Sequence, residues 1–313
     1  MQPAFSVIFL TTLAGAAQGL FLALYGTEML GSGVLDPQMR QQFLVTGSGV
    51  ALVLTGLGLV ASFFHLGHPE RAWRSAAMWR TSWLSREVIA LPIFMAGLLG
   101  YGSAHLMGLG GTAWIGAFTV VACLSLFICT AMIYASVRFL QEWASALTLV
   151  NYFLLGCASG LTLATALAAL TGASALVTPY ALTAGALTLL AWLTRSASLV
   201  RNARIKHKSS LQSAIGIKHP RIVQKSQGFM GGSFNTREFF HGRSASLLRS
   251  VKWSFLVLVF PLPLLLLTAG APGASALTLG AAFVLQYLGL LAERWFFFAQ
   301  ANHPQNLYYQ TIS

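Results

Sequence analysis

The sequence predicts an all-α polytopic membrane protein with eight transmembrane helices. Hydrophobic residues make up 56% of the 313 and charged residues only 8%, against about 25% charged in an average soluble domain. Mean hydropathy is +0.69. The apolar runs are long enough for membrane helices and lack the two-residue alternation of a β-barrel.

The runs place helices at about 5–30, 43–66, 87–108, 114–137, 147–171, 178–200, 252–271 and 275–299. The first is too long for a signal-peptide core, and no basic residue precedes it. Gln18 and Glu28 interrupt it and read as hydrogen-bonded groups within or between helices. Ser85 stands where it could cap the third helix, which would put Glu87 in the first turn, where the helix dipole favours a carboxylate. Cys123, Cys129 and Cys157 fall inside the fourth and fifth helices and read as buried packing thiols.

Orientation follows from lysine and arginine. Eight spans put both termini on one side. The loops on that side hold Arg71, Arg74, Arg80 and Arg86, then Arg138, then eleven basic residues across 201–252, where Glu238 is the single acid. The opposite side holds Arg40 alone. Both termini and all three basic loops are therefore expected in the cytoplasm of a bacterial inner membrane. The net charge of +12 flanks the spans, where it meets lipid headgroups, so a nucleic-acid partner is not expected.

Residues 67–87 and 218–238 align without gaps, with six identities in 21. His68-Pro69 matches His219-Pro220, and Arg86-Glu87 matches Arg237-Glu238. One copy follows the second helix and the other the sixth, so both face the same side, as a parallel duplication of a four-helix unit requires. The chain divides on this reading into 1–171 and 172–313, the latter with the basic loop 201–252 and a tail at 300–313.

The chemistry concentrates between His65 and Glu87. Two titratable groups there are joined by Arg71, Arg74, Arg80, Arg86, Trp73, Trp79 and Trp83. Charge at one membrane surface on this scale points to proton, charge or partner traffic. No Cys-x-x-Cys pair exists and three thiols fall short of a cluster's four, so no iron–sulfur cluster is expected. The histidines do not face one another at matching depth, so no haem is expected, nor any other metal. A quinone suits what remains. His65 titrates near neutral pH, Glu87 can accept a proton, and tryptophans supply flat walls, although interfacial anchoring is their common role.

His65-Leu66-Gly67-x-Pro69-x-Arg71-Ala72, followed by Ser82-Trp83-Leu84-Ser85-Arg86-Glu87, resembles the membrane anchor subunit of dimethyl sulfoxide reductase. The resemblance runs the whole length: eight spans, Pro3 before the first, Glu293-Arg294 near the end of the last, and the tail from His303-Pro304 to Tyr308-Tyr309. It implies a complex in which a molybdopterin subunit does the substrate chemistry and an iron–sulfur subunit relays electrons. The anchor exchanges those electrons with quinone or quinol. His65 and Glu87 match the family's quinol-site histidine and glutamate, with Arg86, Trp83 and Trp73 beside them, and Arg86 pairing with either Glu87 or a lipid phosphate.

The respiratory reductase carries its catalytic subunits on the periplasmic side, next to the motif loop, whereas the charge bias here puts that loop in the cytoplasm. That arrangement resembles sulfite-oxidising complexes that reduce quinone, within sulfur or anaerobic respiration. The alternative is a reductase anchor oxidising menaquinol. The basic loops are expected to dock the iron–sulfur subunit through Arg71, Arg74, Arg80, Arg221, Arg237 and Arg243. Two other classes compete. A secondary transporter would show inverted repeats and polar midplane residues, and charge inside the spans looks scarce. A purely structural anchor would bind partners without quinone chemistry.

Overall fold

A computed structural model describes residues 3–30, 33–64, 66–206, 209–223, 225 and 243–304. Among these residues there are helices and turns but no strands, and eight helical segments are long and apolar enough to cross a membrane. They are α1 (Phe5–Leu30), α2 (Pro37–Phe63), α3 (Trp83–Leu106), α4 (Thr112–Ala135), α5 (Ala146–Leu170), α6 (Ser174–Ala203), a segment formed by α8 (Ala245–Val259) with α9 (Pro261–Gly270), and α10 (Ala276–Ala299). A short helix, α7 (Leu211–Ile215), lies in the long basic loop, and a 3-10 segment, Pro69–Ala76, follows α2.

Local chemistry sets the boundaries. α2 starts six residues ahead of the expected 43, because the Asp36 side chain accepts from Gln38 N at 3.2 Å and Pro37 occupies the first helical position. A missing N–H costs nothing there. α3 starts at Trp83, since Ser82 and not Ser85 is its cap; Ser82 Oγ accepts from Ser85 N at 3.3 Å. Glu87 is therefore the fifth helical residue, past the first turn in which the dipole acts most strongly. The seventh span, expected as one helix at 252–271, begins at Ala245 and breaks at Phe260, whose ψ of −80° departs from the helical range ahead of Pro261.

α1 and α5 form the centre of the bundle. α1 packs on α2 and α5, α5 on α6 and α10, α3 on α4, and α10 on α8 and α9. Glycines make the α1–α5 crossing. A Cβ on Gly19 would stand 2.3 Å from Gly156 O, and one on Gly160 would stand 2.2 Å from Leu20 N. Backbones approach this closely where small residues recur four apart on both helices, here Gly15 and Gly19 against Gly156 and Gly160. The crossing, near the middle of both helices, brings α1 side chains beside α5 side chains.

Candidate functional site

Glu87 points into the bundle. It is 8% exposed, and Thr130 of α4 donates a 2.5 Å hydrogen bond to its Oε1. Thr11, Gln18, Thr130 and Tyr152 line a cavity beside it. The α1–α5 crossing supplies two of these walls: Thr11 and Gln18 come from α1 and Tyr152 from α5. Gln18 also donates to Cys123 O at 2.8 Å, so its amide is partnered, as expected. The cavity encloses about 10 Å³, which is room for one water-sized molecule and not for a quinone ring. A ring acting on Glu87 has to sit outside this space and reach the carboxyl through water or through movement of a side chain.

His65 lies outside the described residues. Its neighbours do not: α2 ends at Phe63, Phe64 is 84% exposed, and Leu66 is 36% exposed. They leave an apolar, open surface at the end of α2, on the same face as the start of α3.

The loop between these helices pairs each tryptophan with a following arginine. Arg74 lies over Trp73 at 5.5 Å, Arg80 over Trp79 at 5.2 Å and Arg86 over Trp83 at 4.2 Å. Arg86 also donates to Trp79 O at 2.8 Å and Arg80 O at 2.7 Å. These bonds fold the loop back onto the helix start, so Arg86 does not pair with Glu87. Trp73 is exposed on the 3-10 segment, away from the Glu87 cavity lining. Glu70 meets Arg71 at 3.6 Å and His68 at 3.0 Å, all in exposed positions.

The platform arginines Arg71, Arg74, Arg80, Arg221 and Arg243 are exposed. Arg237 lies outside the described residues, as does most of the second repeat copy. The tail beyond Pro304 lies outside them too. His303 stacks edge-on against Phe139 at 5.3 Å, and burial pushes its imidazole below the usual range.

Charge inside the spans is not scarce. Arg195 of α6, with Glu293 and Arg294 of α10, is 2–4% exposed, and Arg195 Nε stands 2.7 Å from Glu293 Oε1. Reading charge loop by loop missed Arg195. Its signal was a lone arginine in one apolar run matched by a lone carboxylate in another. A second missed cluster sits at the opposite face. Thr112 donates to Glu28, and His105 Nε2 is 3.5 Å from the same carboxylate, beside a pocket of about 440 Å³ that Arg40 and Gln41 also line. The hydrogen bond from Thr112 is the satisfied partner expected for Glu28, but the histidine was not anticipated.

The chain is 55% identical to a sulfite dehydrogenase subunit of Allochromatium vinosum, with the alignment covering 100% of each. The family described as DMSO reductase anchor subunit (DmsC) matches residues 1–298, which takes in the His65–Glu87 motif, all eight spans and the Glu293-Arg294 pair. On both counts, the chain is a membrane anchor subunit that belongs to the DMSO reductase anchor subunit (DmsC) family.

Proposed function

We propose that this chain is the quinone-reactive anchor of a sulfite-oxidising molybdopterin and iron–sulfur complex whose catalytic subunits sit on the cytoplasmic face of a bacterial inner membrane. The observation that carries the reading is Glu87. A carboxyl inside a membrane span is expensive, and this one is buried against Thr130 beside a water-sized cavity, within the family motif. The name of the Allochromatium vinosum relative supports sulfite as the substrate of the catalytic partner.

A quinone, when bound, takes up two electrons and two protons. His65, two residues past Phe63 in the chain, would hydrogen-bond one of the quinone's carbonyls. Glu87 supplies a proton through the cavity. The apolar surface at Phe63, Phe64 and Leu66 receives the ring, and Trp83 and Arg86 hold the loop that borders it. Trp73 belongs to the interfacial rim. The electrons arrive from the iron–sulfur subunit docked on the basic loops. The division into two parallel four-helix units is part of the same reading, with its boundary between α4 and α5 and not at 171, since 1–171 takes in α5 as well. The pairing of α1 with α2 and of α3 with α4 has counterparts in α5 with α6 and in α8 and α9 with α10.

His65→Ala and Glu87→Gln test the site. Each should abolish quinone-linked turnover, leave the complex on the membrane and keep turnover with a soluble dye, which accepts electrons upstream of the anchor. Normal quinone turnover in both variants refutes the assignment. Loss of the complex from the membrane in both makes Glu87 and His65 structural residues.

A further inference from the structure

Buried charge continues from the Glu87 cavity across the bundle. Tyr152 lines that cavity, and the Arg294 guanidinium lies 3.6 Å from the centroid of the same tyrosine ring. Arg294 Nε is 3.9 Å from Glu293 Oε2, and Glu293 Oε1 is 2.7 Å from Arg195 Nε. All four side chains are at least nine-tenths buried. Glu293 Oε2 and Arg195 Nη2 have no hydrogen-bond partner among the described residues, and the Tyr152 ring stacks on Tyr134 at 5.7 Å, which brings a second phenol beside its hydroxyl. Buried polar atoms that protein leaves unpaired are satisfied by ordered water. The 3.9 Å separation of Arg294 Nε and Glu293 Oε2 is an ion-pair contact too long for a direct hydrogen bond.

The residues share a depth. At 1.5 Å per residue, Glu87, Tyr152, Glu293 and Arg195 lie about 6–12 Å from the helix ends on the basic-loop face. One to two turns outward from Arg195 and Glu293, Leu199 and Asn202 of α6 and Phe296 of α10 line a pocket of about 300 Å³ that also holds Glu142, Lys252 and Gln300. Asn202 Nδ2 and Gln300 Nε2 have no partner among the described residues. A clamp between α6 and α10 needs one arginine for one carboxylate. Here two arginines serve Glu293, and the second reaches toward the cavity of Glu87. Buried ion pairs add little net stability, so a clamp alone is a weak account of a network this long.

We propose that Tyr152, Arg294, Glu293 and Arg195 form a hydrated relay that carries protons between the Glu142–Lys252 pocket and the carboxyl of Glu87. The arginines keep their charge and hold Glu293 and the waters in place. The proton travels along water and the Tyr152 hydroxyl and ends on the Glu87 carboxylate. The relay serves the quinone reading, since each quinone reduced by two electrons from the iron–sulfur partner needs two protons, and it supplies those that pass through Glu87.

The test follows the Glu87 proton directly in the assembled, oxidised complex. After a rapid pH jump, infrared absorption records the appearance of the protonated carboxyl, assigned to Glu87 by its loss in Glu87→Gln. Tyr152→Phe and Glu293→Gln should each slow that appearance by about a hundredfold, the lower end for loss of a positioned proton carrier. An unchanged rate in both variants overturns the relay, and so does a Glu87 carboxyl that never changes protonation across the pH range. Glu293→Gln removes one half of a buried ion pair. If it fails to assemble, Tyr152→Phe decides alone, because it deletes only a hydroxyl and keeps the ring under Arg294. Normal quinone turnover in Glu87→Gln would end the quinone reading while the infrared rates still judge the relay. Lost turnover in Glu87→Gln with unchanged infrared rates would end the relay only.

Discussion

Replacing Gly160 with alanine should force α1 away from α5. The added Cβ would stand 2.2 Å from Leu20 N, 2.3 Å from Gly19 C and 2.4 Å from Gly19 Cα. All three are backbone atoms, so no side chain can swing aside. Ordinary contact begins near 3.4 Å, so the axes must part by about 1 Å. Overpacking of this kind costs roughly 1–3 kcal/mol. Gly26 of α1 is the control. Nothing lies within 4 Å of its Cβ position, and alanine there should gain about 0.5–1 kcal/mol from helix propensity. The assay is reversible unfolding of the purified chain in mixed micelles, comparing midpoints for Gly160→Ala, Gly26→Ala and wild type. Gly160→Ala should also disturb the Glu87 cavity, because Thr11 and Gln18 move with α1 while Tyr152 stays with α5. If Gly160→Ala unfolds at the same midpoint as Gly26→Ala, the close crossing is not what holds these helices together.

Two further outcomes follow from the charged loops. Exposed ion pairs contribute only about 0–1 kcal/mol each, so single reversals among Arg71, Arg74, Arg80, Arg221, Arg237 and Arg243 should do little. Reversing three or more should release the catalytic subunits from membranes, and full retention would assign these arginines to lipid headgroups. Cysteines introduced between 209 and 223 should resist an impermeant thiol reagent in intact cells; rapid labelling would reverse the proposed orientation and move the docking face to the outside.

The spans were legible because each is an apolar run bounded by charge or glycine, and composition alone reveals that. Their ends were less so. Arg40, Gln41 and Gln42 read as loop, yet Asp36 and Pro37 start the helix ahead of them. Ser85 looked like a cap by its spacing from Glu87, and Ser82 does the work because Arg86 ties the intervening loop to the helix through the Trp79 and Arg80 carbonyls. Glu87 stood out through its motif, but the partner that fixes it, Thr130, is one hydroxyl among many in apolar helices. The Arg195–Glu293 and Glu28–His105 contacts join residues 98 and 77 apart in the chain, and no local pattern announces them.

The glycine crossing has a consequence for biogenesis. α1 emerges from the ribosome before α2–α10, and two-thirds of its most apolar stretch is buried in the finished protein, largely against α2 and α5. Its glycine face and Gln18 have no mate until α4 and α5 have been inserted, since Gln18 bonds Cys123 and Gly19 meets Gly156. Insertion and assembly are separable stages for membrane helices, and here the interval between them lasts while the chain from Leu30 to Leu170 is made. α1 has α2 beside it but waits for α5, so its glycine face spends that interval exposed to lipid or to an insertion chaperone.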